Sequence, residues 1–333
     1  MTKKKLAIGL AAGMATIALS VGASPAFATI DFDSATWSVG GVNYQFEGDG
    51  SGDTYGGVEE LTTPTQSNYE LYYEEFYFYD GDFNSGDYTY CIGATATEVT
   101  ESNGDVVITC EPYQMDTDSN IWATNSYRFY SDQMLTRHVV TIENKGTASF
   151  DLGSPYLYYS LSNYDKTASS SNPATCDSMT ADDHWAITAG TDDTMINGYS
   201  WQAAGSTTFT TAEEDCESDE ISAYLTNTTM AAGEKRTYMS LIATAEPAGT
   251  SSGQMDTAFE AALAQMPAFD SLNDTFCRGI DGLVIDGWGT CAASLPDTGT
   301  NSAVMGSSIA IGSGLLIAGA LALVMVRRRQ ARH

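Results

Sequence analysis

The stretch Thr95-Ala96-Thr97-Glu98-Val99-Thr100-Glu101-Ser102-Asn103-Gly104-Asp105-Val106-Val107-Ile108-Thr109-Cys110-Glu111 decides the fold class. Two runs rich in Thr, Val and Ile flank Asn103-Gly104, the dipeptide that most favours a tight hairpin turn. β-branched residues suit a pleated, half-buried surface. The pattern predicts strands over 95–101 and 105–111. Upstream, Val42, Tyr44 and Phe46 alternate after Gly40-Gly41 and predict a hairpin over 36–46, followed by a Gly- and Asp-rich loop at 49–57. Residues 69–79 are dense in Tyr and Phe and read as one long strand or two. Downstream, strands are expected at 127–130, 135–143, 148–152 and 155–161. A polar stretch, 162–183, reads as a long loop held by Cys176. Short strands at 184–188, 197–202, 206–210, 220–226 and 236–245 complete the pattern. This rhythm of short strands and turns predicts an all-β, antiparallel β-sandwich over residues 29–248.

The pattern changes after 248. Met255, Phe259, Leu263 and Met266 fall at helical spacing, with Ser251 or Ser252 as N-cap and Pro267 as the stop. Residues 270–276 read as a second short helix and 280–288 as an apolar return segment. Residues 249–294 are therefore expected to be a small helical appendage packed on the sandwich.

Both ends of the chain read as signals rather than as parts of the fold. Lys3, Lys4 and Lys5 precede an apolar run, 6–21, and the A-x-A site Ala26-Phe27-Ala28. Residues 1–28 thus have the pattern of a signal peptide, with the mature chain starting at Thr29. At the other end stands Leu295-Pro296-Asp297-Thr298-Gly299. An uncharged apolar run, 303–326, follows, and then Arg327, Arg328, Arg329 and Arg332. The run is long enough to span a bilayer as a transmembrane helix, since about 20 apolar residues suffice. The arginines would stay on the cytoplasmic side. Residues 295–333 resemble the sorting signal of LPxTG-type, sortase-anchored surface proteins of Gram-positive bacteria. The resemblance implies that a sortase thiolate attacks the carbonyl of Thr298 and that the bond to Gly299 breaks. An amine of the cell-wall precursor then takes the acyl group. Sortase is the transient partner, peptidoglycan the covalent one, and the cell wall the destination.

Between Thr29 and Thr298 lie all 43 acidic residues but only Arg128, Arg137, Lys145, Lys166, Lys235, Arg236 and Arg278, a formal charge of −36. Such a surface repels nucleic acid and anionic lipid. Cys91, Cys110, Cys176, Cys216, Cys277 and Cys291 all lie in the exported part. An even count outside the cell predicts three disulfides. Six cysteines allow 15 pairings. The expected one joins sequence neighbours: Cys91–Cys110, Cys176–Cys216 and Cys277–Cys291. The absence of C-x-x-C, with only His138 and His184 in this region, argues against zinc.

Asp80, Asp82 and Asn84, and again Asp116, Asp118 and Asn120, alternate as calcium-loop ligands do. Both runs lack the turn glycine and the closing glutamate of an EF-hand. Calcium is the candidate cofactor. Tyr69, Tyr72, Tyr73, Tyr77, Tyr79, Tyr88 and Tyr90 gather beside acids and amides. Such rings suit sugar stacking, while packing at a sheet edge is the commoner use of strand tyrosines. No G-x-S-x-G or H-E-x-x-H motif occurs. Asp182-Asp183-His184-Trp185 reads as the start of a strand. A glycosidase needs only two suitably spaced carboxylates, so a wall-attached glycan-processing enzyme stands as the alternative to a non-enzymatic function, as does a passive structural protein. Only Ala292, Ala293 and Ser294 separate Cys291 from the sorting motif, so no stalk lifts the domain from the wall. The reading these features favour is an adhesin-like module that binds a glycan or protein ligand close to the peptidoglycan.

Overall fold

The computed structural model describes residues 29–292, apart from 49, 64–73, 79–86, 90, 94, 116–118, 161–165, 173, 175–178, 190–194, 214–219 and 247–251. The protein is built from antiparallel sheets with one small helix near its C-terminal end. Strands β1 (Thr36–Val39), β2 (Val42–Gly48) and β3 (Thr54–Thr62) form a three-stranded meander. Gly40 and Gly41 turn the first pair with φ of 62° and 87°, the positive values that a two-residue hairpin requires. The chain continues through β4 (Glu74–Phe78), β5 (Asp87–Tyr88), β6 (Thr97–Thr100), β7 (Val106–Thr109), β8 (Tyr113–Gln114), β9 (Ile121–Phe129) and β10 (Leu135–Asn144). Next come β11 (Phe150–Asp151), β12 (Tyr156–Ser160), β13 (Lys166–Ser169), β14 (Trp185–Ala189), β15 (Ile196–Ser200) and β16 (Phe209–Glu213). Then β17 (Glu220–Leu225), β18 (Thr229–Met230) and β19 (Lys235–Ala245) lead to α1 (Ser252–Leu263) and a 3-10 turn at Met266–Phe269. The two-residue strands β20 (Val284–Ile285) and β21 (Gly289–Thr290) close the described chain as a hairpin.

A nine-stranded sheet is the spine of the molecule. Its order is β13-β14-β15-β19-β10-β9-β7-β6, with β8 paired to β9. The long pair β10–β19 runs in register from Leu135 opposite Ala243 to Glu143 opposite Lys235. Alternate residues of these strands face opposite ways, and both faces are covered. Val140, Ile142, Tyr127, Phe129, Tyr238 and Ile242 join one apolar core with the three-stranded sheet and a five-stranded sheet, ordered β16-β17-β12-β4-β5. Aromatic rings bridge these layers: Tyr44 stacks on Phe129 at 4.3 Å and Phe76 on Tyr238 at 5.2 Å. Leu135, Val139, Ile187, Ile196, Met239 and Leu241 face the other way. They are covered by Phe259, Met266, Phe269, Phe276 and Trp288 of the C-terminal segment. The appendage is thus the second lid of the central sheet.

Several elements differ from the sequence expectation, each for a physical reason. The 95–111 hairpin is not among them: it closes through residues 102–104 as expected, with the Glu101 N–H donating to the Asp105 carbonyl at 2.8 Å and Gly104 at φ 91°. The polar stretch 162–183 contains strand β13, whose backbone pairs with β14. Its Thr167, Ala168 and Ser169 are buried without any apolar alternation to announce them. Residues 270–276 are turns rather than a helix; the Asn273 side chain accepts the Phe276 N–H at 2.9 Å and fixes the bend. Cys91 is bonded to Cys110 and Cys277 to Cys291. The second bridge closes the appendage on itself, and a loop of about 15 residues so closed is worth roughly 3 kcal/mol. Cys176, Cys216, the signal segment to Ala28, the sorting motif and the apolar run 303–326 lie outside the described residues. Among the described residues no helix is long and apolar enough to cross a membrane.

Candidate functional site

Three strands of the five-stranded sheet alternate between apolar residues directed inward and tyrosines directed outward. On β4, Phe76 and Phe78 are buried and Tyr77 between them is half-buried. On β12, Leu157 and Tyr159 are buried while Tyr156 and Tyr158 are half-buried. On β17, Ile221, Ala223 and Leu225 are buried and Tyr224 is half-buried. Period-two alternation places the exposed edge of each ring on the outer face.

Strand register then aligns these rings. Tyr224 lies opposite Tyr156, and Tyr156 opposite Tyr77. The same row continues to Thr210 on β16 at one end and to the position of Tyr88 on β5 at the other. The Tyr156 ring is 4.9 Å from that of Tyr224 and 5.2 Å from that of Tyr77, tilted by 32° and 65°. Tyr158 adds a fourth ring, 6.3 Å from Tyr156. Aromatic pairs at such spacings contribute about 0.5–1.5 kcal/mol each, so the row holds its own shape. It spans two strand spacings, about 10 Å. One row along, Tyr158 lies opposite Glu75 and Ser222, and Ser222 opposite Glu213, which places hydrogen-bonding residue types beside the rings.

Of the tyrosines singled out in the sequence, only Tyr77 has a described side chain in this row. Tyr69, Tyr72, Tyr73, Tyr79 and Tyr90 lie outside the described residues. Tyr156, Tyr158 and Tyr224 come from distant segments that sequence reading did not connect. Among the calcium candidates, Asp80, Asp82, Asn84, Asp116 and Asp118 lie outside the described residues. Asn120 is exposed, and its carbonyl accepts the Lys145 N–H at 2.8 Å. Among the described residues, no group of three or more His, Cys, Asp or Glu side chains is placed to hold a metal ion.

The other polar clusters are structural. Asp183 is fully buried and accepts the N–H groups of Thr180 (2.6 Å) and Ser171 (2.7 Å) and the hydroxyls of Ser170 and Ser171. Burial alone would raise its pKa, but these donors outweigh burial and hold the carboxyl below its ordinary range. It is therefore the hub of the 170–183 loop. His184 Nε2 lies 2.8 Å from Asp270 Oδ1, which also accepts the Trp185 indole N–H at 3.1 Å. These contacts dock the appendage, and no hydroxyl or thiol nucleophile is bonded to the His184 ring in these contacts. His138 is 1% exposed inside the main core, 3.0 Å from the Asn125 amide oxygen and stacked on Tyr127.

A charged cluster joins the sheet to the appendage. Arg128 pairs with Asp105 and Glu101, and Arg278 pairs with Asp105 and Asp132. Arg137, buried under the appendage, donates to the carbonyls of Phe276 (2.5 Å) and Arg278 (2.9 Å). Burial pushes its guanidinium pKa down. The Tyr130 hydroxyl donates to the Thr275 carbonyl at 3.0 Å. Three of the seven basic residues between Thr29 and Thr298 are spent on this join.

No protein-family profile matches the chain, and no curated protein matches it. Solved structures with a similar course include a galactose mutarotase-like protein from Clostridium acetobutylicum. It is 7% identical, covers 63% of this chain and 94% of its own, and has a TM-score of 0.38. A galactose mutarotase-like protein from Lactobacillus casei is 8% identical over 63% of this chain and 99% of its own, at a TM-score of 0.36. A GH36 α-galactosidase from Geobacillus stearothermophilus is 12% identical over 55% of this chain and 29% of its own, at 0.30. At these identities and scores the likeness is one of β-rich architecture, and no residue role is carried over from it.

Proposed function

We propose that this chain is a surface protein held at the cell wall through Thr298 and that its tyrosine row binds a glycan chain. The observation that carries the reading is the register that sets Tyr224, Tyr156 and Tyr77 side by side on an outward sheet face. Tyrosine presents an apolar face for stacking on a sugar ring and a hydroxyl for orienting it. Strand register puts the positions of Glu75 and Glu213 one row along from these rings. The span of the row suits an oligosaccharide rather than one sugar. A protein ligand is the competing occupant, and the test separates the two.

The test is a glycan-array screen of the mature chain, repeated with Tyr156→Ala and Tyr156→Phe. Truncating a central aromatic anchor commonly costs more than about 1–2 kcal/mol. Tyr156→Ala is therefore expected to weaken the signal about tenfold, whereas Tyr156→Phe, which keeps the ring, should retain most of it. Silence of the wild-type chain on the array, or equal binding by Tyr156→Ala, would reject the glycan reading. Repeating the screen with chelator addresses calcium. Loss of signal would support a calcium requirement, for which the Asp80–Asp82–Asn84 and Asp116–Asp118–Asn120 runs are the candidates, and an unchanged signal would remove it.

Anchoring is tested separately. Thr298→Ala keeps the backbone carbonyl but removes the threonine side chain that marks it within the sorting motif. The protein is expected to move from the cell-wall fraction to the membrane fraction or the medium. Unchanged wall attachment would disprove the sortase route.

A further inference from the structure

A cavity of about 360 Å³ opens where three parts of the fold meet. Thr208 and Thr226 come from the five-stranded side, Lys235, Arg236 and Tyr238 from β19, and Asp286 from the turn of the appendage hairpin. A volume of this size falls within the range of small-molecule sites.

The donors on its wall are fixed in place. Arg236 Nε donates to Glu234 Oε1 at 2.7 Å, and its two terminal nitrogens donate to the carbonyls of Asn227 (2.5 Å) and Thr229 (2.6 Å). Of the two further N–H groups on the terminal nitrogens, one is engaged by the Tyr238 hydroxyl and one is left for a ligand. The acceptor on the opposite wall is unused. The Asp286 backbone N–H donates to the Thr237 carbonyl at 2.7 Å, but the carboxylate makes no hydrogen bond or ion pair among the described residues. Burial raises the pKa of this carboxyl against the pull of Arg236. The carboxylate is half-buried and lines the cavity, so a ligand donor can reach it.

The lining also defines the ligand. Two acids, Glu234 and Asp286, face two bases, Lys235 and Arg236, so the wall carries no net formal charge. That balance disfavours a simple anion or a metal cation. A polyol matches it, because each hydroxyl both donates and accepts. Tyr238 is 3% exposed, so its ring is not available for stacking. We infer that this cavity is a second binding site, for a neutral polyol the size of a monosaccharide. In this site Asp286 accepts from neighbouring hydroxyls, and Arg236 and Lys235 donate. The ligand class rests on the carbohydrate reading above, while the site is distinct from the tyrosine row.

The experiment is calorimetric titration of the full-length chain in detergent with glucose, galactose and N-acetylglucosamine, and with glycine and acetate as charged comparisons. Saturable binding of at least one sugar is expected. Asp286→Asn should weaken it about 10- to 100-fold, the loss of one to two hydrogen bonds to a charged group. Asp286→Asn keeps the side-chain shape and removes a charge that burial disfavours, so this variant should melt at or above the wild-type temperature. Lys235→Met, at an exposed residue, is the second variant and should weaken binding by a smaller factor. Absence of sugar binding, sugar binding indifferent to Asp286→Asn, or binding of glycine or acetate alone would each overturn the inference. A monosaccharide is too short to span the tyrosine row. Monosaccharide binding without polysaccharide binding would therefore reject the row and keep the cavity, and the reverse would reject the cavity alone.

Discussion

Asp105→Ala is expected to lower the unfolding free energy by about 3–5 kcal/mol, the usual cost of removing one partner from a buried ion pair. The Asp105 side chain is 0% exposed and bonds two guanidinium groups, Arg128 at 2.6 Å and Arg278 at 2.9 Å. It also accepts the Ser131 N–H at 3.0 Å. Arg128 is 2% exposed, so its charge cannot move into water when the carboxylate is lost. Glu101 remains beside it and moderates the cost without cancelling it. Asp132→Ala is the control: that carboxylate pairs with the same Arg278 but is 58% exposed, and surface pairs are worth about 0–1 kcal/mol. Urea denaturation of both variants measures the contrast. Equal, small effects would mean that the cluster does not hold the join.

The same carboxylate sets an acid limit. Burial acts to raise its pKa, but the Ser131 N–H and the guanidinium groups of Arg278 and Arg128 prevail and hold it well below the usual range. A carboxyl whose pKa is depressed by folding contributes stability that is fully present above its unfolded value, near 3.9. That contribution is lost as the pH falls through that value toward the folded one. Asp183 adds to the loss in the same direction. Acid also relieves self-repulsion in the stretch Thr29–Thr298, whose formal charge is −36. The informative quantity is thus the difference between wild type and Asp105→Asn. The variant should lose less stability than the wild type between pH 7 and pH 3.

Much of the sheet architecture was legible because strands and turns carry local signals. Gly40-Gly41 announced its hairpin, and Val42, Tyr44 and Phe46 announced the face that packs on the core. Strand β13 was hidden because Lys166-Thr167-Ala168-Ser169 has no alternation and owes its conformation to pairing with β14. Nothing local marks Asp105 among the 43 acids, since Arg128 and Arg278 converge on it only through the fold. The tyrosine row shows the same limit at the functional level. The sequence drew attention to the cluster around Tyr77, but Tyr156 and Tyr224 join it only through strand order and register, which depend on the whole sheet. The cavity beside Asp286 is still less local, since its walls come from two sheets and the appendage.

The appendage offers the sharpest test of whether that long-range assembly is cooperative. Read from the sequence, residues 249–294 are a small helical appendage packed on the sandwich. The structure makes that appendage the lid over Leu135, Val139, Ile187, Ile196, Met239 and Leu241, so its loss would bare one face of the central sheet. Trp288 is the anchor. It is 6% exposed, and its indole N–H lies 2.8 Å from the Met239 carbonyl and 3.1 Å from the Trp201 carbonyl. Its ring also meets that of Phe276 at 6.3 Å. Trp288→Ala should cost about 3–5 kcal/mol, as other large-to-small substitutions of buried aromatics do. Burial of a shared core predicts that calorimetry will show one transition, shifted to lower temperature, with the sheet and the appendage melting together. A new low-temperature transition that leaves the main one in place would show instead that the appendage folds independently. In that case the Asp286 side of the polar cavity would be lost with it, while the tyrosine row on the far sheet would survive.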